Sequence, residues 1–318
     1  MVWIALGIVY LVWGSTYFAI AIVVQTMPPL LTAGVRFLLA GLVLALWVAA
    51  RDRSALRVTR RQAAGAALVG ILLLAGGNGL VSLGERTVPS GLAALIVASV
   101  PLWIVLLRFA ARDHIGRDLI IGVTVGIIGV AVLVVPSGAS GQTDPAGLLM
   151  LVGATLMWAT GTFASPRLHL PRSPLASTAL QMIAAGVLLP FVGVAIGEWG
   201  QLRPERISTD SLIAFAYLVV FGSLVAFSAY TWLLQNAPVS LVSTYAYVNP
   251  VVAVFLGTIF LREPITPTMI AGAVLILAAV AFIVSRASVG RATASATRAA
   301  ATADRGELLQ VARRSERR

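Results

Sequence analysis

Long apolar blocks recur from Met1 to Ser285, each bounded by Arg, Pro or Gly, and they constrain the fold more than any other feature of the chain. An apolar block of about 20 residues crosses about 30 Å of hydrocarbon as a helix, and inside lipid a helix satisfies its own backbone hydrogen bonds. Only 11% of the 318 residues are charged and 59% are hydrophobic. A soluble domain carries about a quarter of its residues charged and has no use for so many apolar ones. The class this predicts is an all-α integral membrane protein.

The blocks fall at about 2–24, 29–50, 63–84, 88–108, 119–136, 146–165, 175–197, 211–234, 239–261 and 266–285, which makes ten spans. The eighth and ninth are divided only by Gln235, Asn236, Ala237 and Pro238, but together they are too long for one crossing. The first block begins without a basic n-region and ends without a small-x-small cleavage site, so it reads as a retained span rather than a signal peptide.

All 23 basic residues are Arg, and the formal charge is +11. Such a charge could indicate a nucleic-acid partner, but these arginines lie in short connections between apolar blocks and in the last 33 residues, not along a groove-binding face. With the N-terminus inside, eighteen arginines fall on the cytoplasmic side and four on the other, namely Arg86, Arg203, Arg206 and Arg262. Without the tail the ratio is still ten to four, so both termini are expected in the cytoplasm of a bacterium, with the spans in its plasma membrane. The tail, 286–318, is Arg- and Ala-rich; it is expected to be disordered or to lie as a helix on anionic lipid.

There is no cysteine, which removes disulfides and thiolate metal sites. His114 and His169 both sit in Arg-containing connections and read as solvated loop residues. No Walker loop, zinc-binding helix pair or nucleophile elbow occurs. The expectation is therefore no enzyme, no metal and no cofactor.

Compared with itself at an offset of 145, the sequence sets Trp13, Phe18 and Ala19 against Trp158, Phe163 and Ala164, and Arg36 and Gly41 against Gln181 and Gly186. At 149, Pro89 and Pro101 align with Pro238 and Pro250. The constant order points to duplication of a five-helix unit, 1–136 and 146–285. Five is odd, so the second copy inserts with reversed polarity, a plan in which the substrate site of a transporter lies near the midplane between the halves.

Six motifs resemble one family. They are Trp-Gly-Ser-Thr-Tyr-Phe at 13–18, Pro-Pro-Leu at 28–30 with Ala-Gly-Val-Arg-Phe at 33–37, Gly-Asn-Gly at 77–79, Val-Pro-Ser-Gly at 88–91, Trp158, and Thr-Tyr-Ala-Tyr-Val-Asn-Pro-Val at 244–251. In this order they resemble the EamA family of the drug/metabolite transporter superfamily, and within it the YedA-like inner-membrane members. The resemblance implies ten helices in two EamA repeats around a central cavity, and export of amino acids, metabolites or drugs. The Arg-rich tail departs from it.

Polar side chains find no partner in lipid, so polar stripes mark faces turned to protein or to a cavity. Trp13, Thr16 and Tyr17 form one in the first span, Asn78 and Glu85 belong to one in the third, Trp158 and Thr162 to one in the sixth, and Tyr247 and Asn249 mark the ninth. Interhelical hydrogen bonding explains a lone Ser or Thr; the two repeat-related tryptophans point instead to a cavity wall. Arg36, the only charge well inside a span, either snorkels or borders the cavity and attracts a carboxylate, on substrate or on Glu85; its repeat mate Gln181 is neutral. Pro101 and Pro250 each free a backbone carbonyl in mid-helix and read as packing bends or hinges. Gly122 and Gly126 fit close packing between helices or contact with a second copy of the chain. No carboxylate lies deep in a span, which leaves Glu85, at the end of the third, as the candidate for coupling to protons. The expected partners are thus a small-molecule substrate and the lipid bilayer. A channel or lipid-handling protein would use the same cavity, and a non-transporting scaffold would use the tail.

Overall fold

The computed structural model describes residues 1–113, 116–134, 144–242 and 244–285. His114, Ser243 and the tail fall outside them. The described residues form helices and connections without a strand. Among the described residues nine helices are long and apolar enough to span a bilayer: α1 Val2–Val23, α2 Pro29–Arg51, α3 Arg60–Gly84, α4 Ser90–Ala110, α5 Arg117–Val134, α6 Pro145–Arg167, α7 Pro174–Ala195, α8 Thr209–Leu234 and, numbered last in the chain, α10 Pro267–Ser285. The remaining one, α9, is the shorter apolar helix Tyr245–Phe260. It begins later than the expected 239 because the backbone turns first: Val239–Val242 makes a separate helical turn, and Thr244 N–H bonds back to Leu241.

The most extensive helix pairing among the described residues is between α2 and α7, and it is reciprocal. A Cβ on Gly41 would lie 2.9 Å from the backbone nitrogen of Ile183, and one on Gly186 would collide with the backbone nitrogen of Leu38. Leu38 and Ile183 stand at the same offset of 145 as the two glycines, so each helix offers its glycine to the other's equivalent residue. Gly34 makes room in the same way for the Pro190 ring within α7. Close backbone approach through small residues is how helices associate where lipid removes the hydrophobic drive.

A second sign of duplication lies in the backbone itself. α3 is π-helical over Ile71–Asn78 and α8 over Leu218–Val225, two eight-residue stretches at an offset of 147. π-Helical segments are rare and gather at functional sites. Left-handed residues repeat as well. Arg112 (φ 59°) and Arg262 (φ 56°) terminate α4 and α9, and each is followed by an acid, Asp113 and Glu263.

Those acids close helix ends. The Glu263 carboxylate accepts from Ser90 N–H (2.7 Å) and Gly91 N–H (3.0 Å), capping α4, and fits where Gly257 has no side chain. Glu198, which follows left-handed Gly197, accepts from Leu30 N–H (3.1 Å) and Leu31 N–H (2.9 Å), capping α2 against Gly193. Both helices begin at prolines and have no side-chain cap of their own, so acids from distant connections satisfy their orphan donors. Asp113 instead meets Arg108 (3.2 Å) and Arg167 (3.8 Å) in a partly exposed pair that adds little stability.

The two prolines expected to act alike do not. Pro101 stands in the first turn of the segment Val100–Ala110, where its missing N–H costs nothing, and α4 breaks just before it, after Val97. Pro250 lies inside the unbroken α9. The Gly122 and Gly126 pair is occupied within the chain, by Ile283 of α10 and Leu102 of α4.

Gly186→Ala is expected to lower stability by about 1 to 3 kcal/mol or more, because its new methyl meets backbone that cannot yield. Gly7→Ala, within α1 and with open space around it, should keep stability or raise it by up to about 1 kcal/mol. Thermal unfolding of the detergent-solubilised protein distinguishes the two.

Candidate functional site

The π segment of α8 gathers three of the residues the sequence singles out. Trp13 donates from Nε1 to the Gly222 carbonyl (3.3 Å), Arg36 donates from Nε to Ser223 Oγ (2.9 Å), and a Cβ on Gly222 would lie 3.2 Å from both an Arg36 terminal nitrogen and the Thr16 methyl. Arg36 is therefore buried with a hydroxyl partner, not paired with Glu85; the described ion pairs lie elsewhere, at Asp113. It lines a narrow cavity of about 10 Å³ with Thr32, Ser82, Phe215 and Leu218, room for about one water.

Trp13 is the centre of an aromatic group. Its ring lies 5.1 Å from Phe227, 5.0 Å from Tyr230 and 5.3 Å from Tyr245, two of them edge-on. Asn249 stands behind this group: with its amide turned to suit its neighbours, it donates to the carbonyls of Tyr10 (3.3 Å) and Tyr245 (3.1 Å). Tyr10 in turn bonds Thr244. Asn249 thus joins α9 to α1, beside Gly14, where a Cβ would meet Val252 at 2.6 Å.

Trp158 sits against α3. A Cβ on Gly77, in that helix's π segment, would lie 2.7 Å from its ring. Gly77 and Gly222 differ by the same 145 as Trp13 and Trp158, so each tryptophan of one half reaches the equivalent glycine of the other, Trp13 through its indole N–H to the carbonyl and Trp158 through its ring. Self-comparison of the sequence already contained these glycines, but a glycine match carries little weight until the contact is seen.

The remaining residues divide. Asn78, half-buried, ends the same π segment that Trp158 covers, and Thr162 bonds the Trp158 carbonyl (2.8 Å). Gln181 donates to Ser177 Oγ (3.1 Å) and packs its backbone on Gly70, so it does not mirror the Arg36 bond. Tyr247 turns to α10 and donates to the Val280 carbonyl (3.2 Å). Phe227, Tyr230, Tyr245 and Ser223 were not among the residues expected; aromatic and hydroxyl side chains are too common in spans for sequence to choose among them.

Glu85 follows the last residue of α3, as its position in the sequence implies, yet it is buried and both its carboxyl oxygens lack a hydrogen-bond partner among the described residues. Burial holds this carboxyl well above the usual carboxylate range, and the nearby Glu263 charge adds to the shift. Tyr17 also lies within its electrostatic reach.

No group of three or more potential metal-ligating side chains occurs among the described residues. The sequence pattern of the EamA-like transporter family matches residues 1–135 and again 145–285, one copy over each half. The chain belongs to the EamA-like transporter family. The "Uncharacterized inner membrane transporter YedA" of Escherichia coli K12 is 40% identical over 255 residues, 80% of this chain and 81% of that protein. A "Probable amino-acid metabolite efflux pump" of Salmonella typhimurium is 26% identical over 287 residues, 85% and 90% of the two chains. A solved crystal structure with 20% identity superposes with a TM-score of 0.60 over 88% of this chain and 94% of that one, the same fold.

Because Glu85 keeps its proton in the folded state at pH values where the unfolded chain has lost it, the folded state binds more protons, and stability falls as pH rises above the ordinary carboxylate range. Glu85→Gln should flatten that fall, which for one group is at most about 1.4 kcal/mol per pH unit. Melting curves of both proteins between acid and neutral pH test it.

Proposed function

We propose that this protein is a secondary transporter that moves a small metabolite, an amino acid, related compound or drug-like molecule, out of the cell or down its gradient, by alternating access of its two halves. The observation that carries the reading is the exchanged pair of contacts, Trp13 on Gly222 and Trp158 on Gly77. Each joins a tryptophan of one half to the π segment of the other, so the two halves meet at two equivalent points, and movement about the α2–α7 crossing would release one contact while keeping the other. Two arrangements related by pseudo-symmetry have similar energies, which is what alternating access requires.

On this reading the substrate meets Trp13, Thr16 and Arg36 on one side and Trp158, Asn78 and Gln181 on the other, with Tyr17, Thr162, Tyr247 and Asn249 holding or bordering the wall. The halves offer unequal charge, a guanidinium against an amide. The break before Pro101 serves as a hinge, and Pro250 as a bend that follows it. The distribution of arginine favours both termini on the cytoplasmic side of the plasma membrane. Among the described residues no carboxylate pairs with Arg36, which favours facilitated or weakly coupled movement; Glu85 is the group through which protons would act.

Comparison of metabolites in cells with and without the protein should name candidates, and flux of the leading one into proteoliposomes should saturate and counter-exchange. Trp13→Ala and Trp158→Ala should each lower that flux about tenfold or more, since each removes an aromatic contact from the substrate wall. Flux that never saturates and cannot exchange would mark a channel.

A further inference from the structure

At the end of the bundle away from Met1, the connections form an open depression of about 300 Å³ framed by the exposed Arg86, Arg203 and Arg206, with Gln201 beside them. We propose that this vestibule binds a small organic carboxylate, holding it above the entrance to the Arg36 cavity.

Only four arginines stand in the connections at this end of the bundle, and three of them line one cavity. Arginine on the side disfavoured by the membrane's insertion bias calls for a local reason. The lining contains no carboxylate, and none of the three forms an ion pair among the described residues, so three planar guanidinium forks face the space with their donors unclaimed by acids. The nearby α2 amides cannot supply the attraction, because Glu198 occupies them; the charge comes from the side chains.

The cavity also borders the buried site: Val24 and Pro29 line both the vestibule and the narrow cavity at Arg36, so the three outer arginines stand next to the buried one across these two residues. The walls belong to both halves: Val24 to Pro29 and Arg86 come from the first, and Gln201 to Arg206 from the second. Movement of one half against the other would therefore change the spacing of the guanidinium groups. Its volume is at the lower end for ligand sites, which suits a compact mono- or dicarboxylate. Binding stands on this geometry alone, whereas onward passage to Arg36 rests on the transport reading.

The test uses the full chain in phosphatidylcholine nanodiscs, titrated calorimetrically with glutarate and with its neutral counterpart glutaramide. Glutarate should bind and glutaramide should not. Arg203→Gln/Arg206→Gln should weaken glutarate by about tenfold or more, as should added salt, while Arg262→Gln, outside the vestibule, should not. Unchanged melting temperatures establish that the variants are folded. Absence of glutarate binding, equal binding of glutaramide, or indifference to the double substitution overturns the site. If phosphatidylglycerol discs block glutarate and the double variant no longer responds to that lipid, the ligand is a lipid headgroup and the soluble-carboxylate proposal is wrong. Binding is read at equilibrium without flux, so its failure leaves saturable counter-exchange, the test of transport, untouched.

Discussion

Everything in this bundle is arranged around the crossing of α2 and α7, where Gly41 and Gly186 let two helix backbones touch. Lipid is as apolar as any side chain, so helices in it gain nothing from hydrophobic contact and must gain from close packing. Glycine at both positions shortens the distance between the axes, and reciprocity fixes the symmetry axis at that point. Arg36 and Gln181 lie less than two turns from their glycines, so the crossing also sets where the polar residues of the two halves stand.

The ends of helices carry a second constraint. A helix that starts with proline in a membrane interface still leaves donors unpaired, and α2 and α4 solve this with carboxylates from the opposite half, Glu198 and Glu263. These bonds tie each half to the other near one face, while Asp113 and Arg167 do so weakly near the opposite face. Unequal fastening of this kind is compatible with a bundle that opens more readily on one side. Glu85, beside Glu263 and without a donor of its own, is the group in this layer left to respond to protons.

The π segments explain how the site departs from plain helix packing. A π turn leaves backbone carbonyls displaced from the regular ladder. In α8 the Gly222 carbonyl accepts the Trp13 indole, and the neighbouring Ser223 hydroxyl accepts Arg36. In α3 the corresponding stretch ends at Asn78 under Trp158. The same irregularity in both halves therefore receives a tryptophan from the other half, with Arg36 bonded at one segment and Asn78 ending the other.

Sequence alone determined the helical class, the number of crossings, the five-plus-five plan and the family, because hydrocarbon thickness and backbone satisfaction allow few other readings of such blocks. It also named Trp13, Thr16 and Arg36, which do converge. Tertiary structure decided what they touch. Arg36 meets Ser223, 187 residues away, and not Glu85; Pro101 and Pro250, equal in register, act differently because one begins a helical segment and the other lies within one. Glu85 and Glu198 sit just past the ends of spans in the sequence, yet the packed structure buries both. Periodicity reports which face of a helix is polar, but partners, burial and the gathering of three outer arginines around one cavity depend on how distant segments pack, and no local pattern encodes that.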